Sequence, residues 1–316
     1  MNTGRQAPVL LDYVLLITLA MMFGFSFTLT RIAVLELPPL SIAAGRLLLA
    51  VAMLYPLMRL NGQRMPAPGR IWIPIVAAGF FGNALPFSLI SWGQVRVEAG
   101  LTSIFMAVMP LVTLLLAHVL THDEKLTGWK FVGVLFGLAG VVVLMGVSAL
   151  DALGDELMRQ SAILISAVSY AFNALITRRL THLPRWSAMT ALMFASCLML
   201  LPFAMLLDTP WQLQPSWQAM SALLGLAIGP TAVATVMILV IISRQGASFL
   251  SQINFMVPVF GMLAGVLLLG ETLPANAYLA LALILIGIAV SRLGAKPRQG
   301  SARGAAQSSE TDVASG

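Results

Sequence analysis

The sequence predicts an all-α integral membrane protein of ten transmembrane helices, built as two inverted five-helix repeats. Three observations predict it. Hydrophobic residues make up 59% of the chain and charged residues 9%, whereas a soluble domain runs at about 45–50% and about 25%. Ten stretches stay apolar over the roughly 20 residues that a bilayer-spanning helix requires. The second half also repeats the first at an offset of 148 residues: Ser103, Met106 and Pro110 answer Ser251, Asn254 and Pro258. Each half holds five apolar segments, and an odd number makes the second half enter the membrane from the opposite side.

The segments fall near 13–34, 40–58, 71–92, 99–120, 128–147, 158–177, 186–207, 219–242, 247–269 and 275–293. The first repeat is therefore 13–147 and the second 158–293. A short N-terminus, 1–12, precedes them, a loop, 148–157, joins them, and a Gly-, Ala- and Ser-rich tail, 294–316, reads as disordered. The first segment is too long and lacks the small-residue cleavage site of a signal peptide, so it reads as a retained helix.

Lysine and arginine fix the orientation. With the N-terminus in the cytoplasm, 14 of the 18 basic residues fall at inner ends, and only Arg31, Arg46, Arg96 and Arg159 at outer ones. Both termini are thus expected to be cytoplasmic and the 148–157 loop periplasmic. The six tryptophans lie at segment ends, as an interfacial belt does. The net charge of +6 forms no basic run, so nucleic acid is not an expected partner. The expected partners are the lipid bilayer and a small-molecule solute, with the chain a monomer or weak homodimer.

Enzyme chemistry finds little to work with. No acidic residue lies in mid-segment, and there is no His-Glu-x-x-His or Gly-x-Ser-x-Gly motif. His118 and His122 lack a third ligand, and the lone Cys197 sits in an apolar segment. The reading is no catalytic residue, no metal site and no cofactor.

What remains is uncharged polarity on defined helix faces. Ser103, Met106, Pro110 and Thr113 share a stripe, as do Ser251, Asn254, Pro258 and Gly261, with Gln252 beside them. Ser26 and Thr30 in the first segment align with Ser169 and Asn173 in the sixth, where Tyr170 joins them. Such stripes suit either helix packing or a cavity wall, because facing lipid would be costly. The third segment carries Asn83, Phe87, Ser91 and Gln94 on one face, with Trp92 nearby and Pro86 interrupting. Its counterpart is interrupted by Gly229 and Pro230, followed by Thr231 and Thr235. Interruptions at matching positions of two halves point to a binding region. The candidate cavity residues are Ser26, Thr30, Asn83, Phe87, Ser91, Trp92, Ser103, Tyr170, Asn173, Ser251, Gln252 and Asn254. Arg46, about two turns inside the second segment, needs a partner. It either pairs with Glu98, Glu271 or Glu36, or waits for a solute carboxylate.

These features together resemble the EamA-type permeases of the drug/metabolite transporter superfamily. The resemblance rests on Leu37-Pro38-Pro39 leading to Arg46, Gly246-Ala247-Ser248, Pro110 and Pro258, Leu269-Gly270-Glu271-Thr272-Leu273-Pro274, and the glycines at 133, 137, 140 and 287. It covers roughly 13–293. It implies ten helices, a central cavity, alternating access in the cell inner membrane, and export of amino acids or related metabolites. Lipophilic-drug efflux is the alternative transport reading, and a membrane enzyme or scaffold the alternative of another class. Small multidrug relatives couple protons through a glutamate in the first helix; this chain has Ser26 and Thr30 there instead. Coupling through end groups such as Glu98 or Glu271 stays open.

Overall fold

The structure, a computed structural model, describes residues 8–120, 126–145 and 155–293. Parts of the N-terminus and of the 148–157 loop, and the whole 294–316 tail, lie outside the described residues. Among the described residues ten helices are long and apolar enough to cross a membrane: α1 Leu10–Ala33, α2 Pro39–Leu60, α3 Trp72–Gly93, α4 Ala99–Leu120, α5 Gly128–Met145, α6 Asp155–Leu180, α7 Arg185–Asp208, α8 Trp217–Arg244, α9 Ala247–Leu269 and α10 Ala275–Leu293. Among the described residues there is no strand. Helices keep every mid-span backbone donor and acceptor paired inside one segment, which the apolar surroundings demand.

Helix pairing survives exchange of the two halves. The α1–α9 packing has its counterpart in α6–α4, and α1–α8 in α6–α3, while α2–α7, α4–α9 and α5–α10 pair counterparts directly. Each of these last three pairs runs antiparallel, the start of one helix meeting the end of the other. Asp208, ending α7, accepts from the Ser41 backbone N–H (2.7 Å) and hydroxyl (2.9 Å) at the start of α2. In return Gln63, just past α2, accepts from the Ser187 N–H (3.0 Å) at the start of α7, and the Ser187 hydroxyl donates to the Arg64 carbonyl (2.7 Å). These exchanges satisfy N–H groups that a helix start leaves without a partner.

The α5–α10 pair is close-packed. A Cβ placed on Gly133 would stand 2.5 Å from the Gly287 carbonyl oxygen, and the reverse distance is the same. Small residues let backbones approach where no hydrophobic effect drives helices together. Asn276, opening α10, donates to the Val143 carbonyl near the end of α5 (2.9 Å).

One end of the bundle is acidic: Glu36, Glu98, Asp155, Glu156, Asp208 and Glu271 all sit there. Glu36 accepts from the Ser216 N–H (2.6 Å) and hydroxyl (2.7 Å) at the start of α8, which holds its carboxyl below the usual range. At the opposite end Asp12 takes Arg244 Nε (2.6 Å) and Gln245 Nε2 (2.7 Å), joining α1 to α8.

Candidate functional site

Several of the helices are not uniform, and their irregularities surround one space. In α3 the residues Phe80–Ala84 form a π-helix, and in α8 Ala227–Val233 do. These are the two matching segments in which the sequence placed interruptions. In α4 the regular turns stop at Met106 and resume at Met109, ahead of Pro110; in α9 they stop at Leu250 and resume at Ile253. π-turns concentrate at functional sites because they push backbone and side chains out of helical phase.

Between these helices lies a cavity of about 320 Å³, within the size range of sites for small organic ligands. Its walls are mostly apolar, with Phe23, Phe27 and Phe87, Met106, Met109 and Met193, and Ile90, Ile238 and Val257. The polar lining is sparse: Ser26, Thr30, Arg46, Asn83, Ser103, Tyr170, Thr231, Thr235 and Asn254.

Most of these polar groups are already engaged. Ser26 and Thr30 donate back to the carbonyls of Phe23 (2.6 Å) and Ser26 (2.8 Å). Ser103 donates to the Gly100 (2.7 Å) and Pro258 (3.1 Å) carbonyls, tying α4 to α9. The Asn83 amide donates to Ser196 (3.1 Å). The Tyr170 hydroxyl and the Asn254 amide make no side-chain hydrogen bond to the described residues.

Among the described residues Arg46 is the one charged group in the wall, and it is 7% exposed. Its Nε and Nη2 both donate to Thr231 Oγ1, at 3.1 and 2.9 Å. Its guanidinium carbon lies 3.8 Å from the centre of the Phe87 ring. The arrangement depends on the α8 irregularity. Pro230 has no N–H to give the Leu226 carbonyl, and the Thr231 hydroxyl donates to that oxygen instead (2.7 Å). The hydroxyl proton is thus committed, and both oxygen lone pairs face Arg46.

Of the two alternatives for Arg46, the ion pair is not formed in this structure. Among the described residues no carboxylate lies within ion-pair distance of Arg46. Glu271 instead accepts from the Ala99 (2.7 Å) and Gly100 (2.8 Å) N–H groups, closing the start of α4. Gly270 makes this possible: its φ of 67° reverses the chain at the end of α9. Glu98 begins α4 outside the cavity, and Glu36 binds Ser216.

Of the candidate residues, Ser26, Thr30, Asn83, Phe87, Ser103, Tyr170 and Asn254 border the cavity together with Arg46, whereas Ser91, Trp92, Asn173, Ser251 and Gln252 do not. Arg159 stacks on Trp92 at 4.5 Å and donates to its carbonyl (2.7 Å) near the acidic end. Ser251 receives Arg292 on its carbonyl (2.8 Å). Asn173 lies against Gly82 with a buried oxygen that has no partner. Thr231 and Thr235, which the sequence placed beside the interruption of the eighth segment without counting them as candidates, also join the wall, and so do Phe23, Phe27 and Met193, which the sequence did not single out. Pro230 was the available signal for Thr231. Among the described residues no cluster of three or more His, Cys, Asp or Glu could hold a metal ion.

An all-helical, ten-span bundle around a central cavity defines a membrane transporter class, and comparison places the chain within it. The profile of the EamA-like transporter family matches residues 10–146 and again 159–293, so the chain belongs to that family. It is a multi-pass membrane transporter. An uncharacterized inner membrane transporter, YedA, of Escherichia coli (strain K12) is 26% identical over 280 residues, covering 88% of this chain and 90% of its own. An uncharacterized transporter of Bacillus subtilis (strain 168), YoaV, is 21% identical, over 86% and 94%. A protein named "Probable amino-acid metabolite efflux pump" in Escherichia coli (strain K12) is 23% identical, over 91% and 97%. A crystal structure superposes with a TM-score of 0.66 over 92% of this chain and 99% of its own, at 20% identity, which shows a shared fold.

Proposed function

We propose that the chain is an inner-membrane permease that exports a small organic metabolite, an amino acid or a related compound, through alternating access to the central cavity. The observation that carries the reading is the cavity itself. It is walled by both halves, is mostly apolar, and has a few polar groups that can orient a solute. The relative named as an amino-acid metabolite efflux pump supports the substrate class and the direction. Efflux of lipophilic cations is less well served, because no acidic group lines the cavity among the described residues. A scaffold has no use for such a space, and an enzyme would need reacting groups that the wall lacks.

The distribution of basic residues supports an orientation with the acidic end of the bundle outside and both termini in the cytoplasm. A reporter fused after residue 155 should read as periplasmic. The substrate reading is tested by profiling metabolites in medium and cytoplasm of cells with and without overexpression. Accumulation of amino-acid-like compounds in the medium is expected. An unchanged profile, joined to inactive liposomes containing well-folded protein, would overturn the proposal.

A further inference from the structure

We infer that the cavity takes solutes bearing one carboxylate and no free ammonium group, namely amphiphilic monoanions such as N-acylated or deaminated amino acids. The inference rests on the reading of the cavity as a transport site and narrows its substrate.

Arg46 is the starting point. A guanidinium stays charged at any physiological pH, and a buried charge needs a partner or water. Here Thr231 takes one Nε–H and one Nη2–H, and Phe87 covers one face. Of the five N–H groups of an arginine, three remain for another acceptor. Among the described residues no carboxylate takes them. Two adjacent N–H groups on one planar fork match a carboxylate better than any other small anion of single charge. A phosphate dianion would call for a second cation, and among the described residues the wall has none.

The missing acid excludes the second half of a zwitterion. An α-ammonium stands one carbon from its carboxylate, so it would enter beside Arg46 as a like charge stripped of water, with no acidic side chain among the described residues of the wall to offset it. A neutral acyl amide or a hydroxyl in that place meets partners that suit it: the Tyr170 hydroxyl and the Asn254 amide, both without side-chain partners of their own. The body of the solute faces phenylalanine and methionine side chains, which accept apolar groups of varied shape.

The test uses the purified full chain and four probes with one shared apolar group: N-acetylphenylalanine, phenyllactate, phenylalanine and phenethylamine. Binding is read by the thermal midpoint in detergent, and movement by uptake into proteoliposomes. The two monoanions are expected to bind at least about ten-fold more tightly than phenylalanine, and phenethylamine not at all. Arg46→Gln should abolish that preference. Should Arg46→Gln fail to fold, Thr231→Val, which keeps the charge and loosens its position, should weaken the monoanions while leaving phenylalanine unchanged. Phenylalanine or phenethylamine binding as tightly as the monoanions overturns the inference. So does a panel that neither binds nor moves while overexpressing cells still export other metabolites, an outcome that leaves the transport reading standing. If cells export nothing either, both fall together.

Discussion

Arg46 of α2 and Thr231 of α8 come from different halves of the chain and meet through two hydrogen bonds, at 3.1 and 2.9 Å, to a single hydroxyl oxygen. That oxygen can accept twice because its own proton goes to the Leu226 carbonyl, which Pro230 leaves without its α-helical donor. A break in one helix thereby fixes the direction of a charge carried on another.

Replacing Thr231 with valine keeps the shape and removes the acceptor. A hydrogen bond to a charged group contributes about 1.5–3 kcal/mol, so Thr231→Val should lower stability by an amount in that range, and Thr231→Ser should restore it. Thermal midpoints of the purified variants decide the matter. Valine and serine variants with equal midpoints would show that Arg46 does not depend on this hydroxyl.

The cavity wall and the helix exterior can be separated on one helix. Asn254 borders the cavity, and Ser251 is bound to Arg292 three residues earlier. Asn254→Leu should cut solute transport by about ten-fold or more, the scale on which a lost polar contact changes affinity, with the fold intact. Ser251→Ala should leave transport near its original rate. Equal losses in both, measured as initial uptake rates in proteoliposomes, would remove Asn254 from the site.

The contrast between those two residues also shows where the sequence stops being legible. Helix number, length and the paired interruptions of α3 and α8 could be read because apolar run length and proline are local signals. Ser251, Asn254 and Pro258 looked like one stripe because their spacing is helical. The backbone, however, breaks after Leu250 and starts again at Ile253, so the phase does not carry across. Arg46 was conspicuous from its depth, but its partner could not be named. An arginine fork can reach any neighbouring helix, and which neighbour offers an acceptor depends on packing. The role of Glu271, offered as one of three possible partners of Arg46, was hidden for a related reason: its reach to the α4 start depends on the chain reversal at Gly270.

Glu271 accepts from two N–H groups at the start of α4, on the buried residues Ala99 and Gly100, across the two halves at the acidic end. Anionic acceptors are favoured there by the helix dipole as well. Glu271→Gln keeps one acceptor oxygen but turns an amide donor toward the same N–H groups. It should destabilise by about 1–3 kcal/mol, the cost of leaving such a group unpaired. Urea or thermal unfolding in detergent would measure it. An unchanged midpoint would mean that water serves the α4 start equally well.

Glu98, the residue just before α4, offers a pH signature. Burial raises its carboxyl pKa above the ordinary 4.5, the negative charge of Glu271 and, more weakly, of Glu156 raises it further, and Arg31 opposes them. The folded protein therefore holds this proton more tightly than the unfolded chain. Between the unfolded value and the raised folded one, the native state binds more protons, so stability falls as pH rises through that window and levels off above it. Glu98→Gln removes the titration. Unfolding midpoints taken from about pH 4 to pH 8 should fall more steeply for the unmodified protein than for the variant, and the variant should be the more stable near neutrality. If Glu98 also carries a coupling proton, the same substitution should flatten the pH dependence of transport in proteoliposomes. Parallel stability curves for the two proteins would show that the Glu98 carboxyl titrates as it does in water.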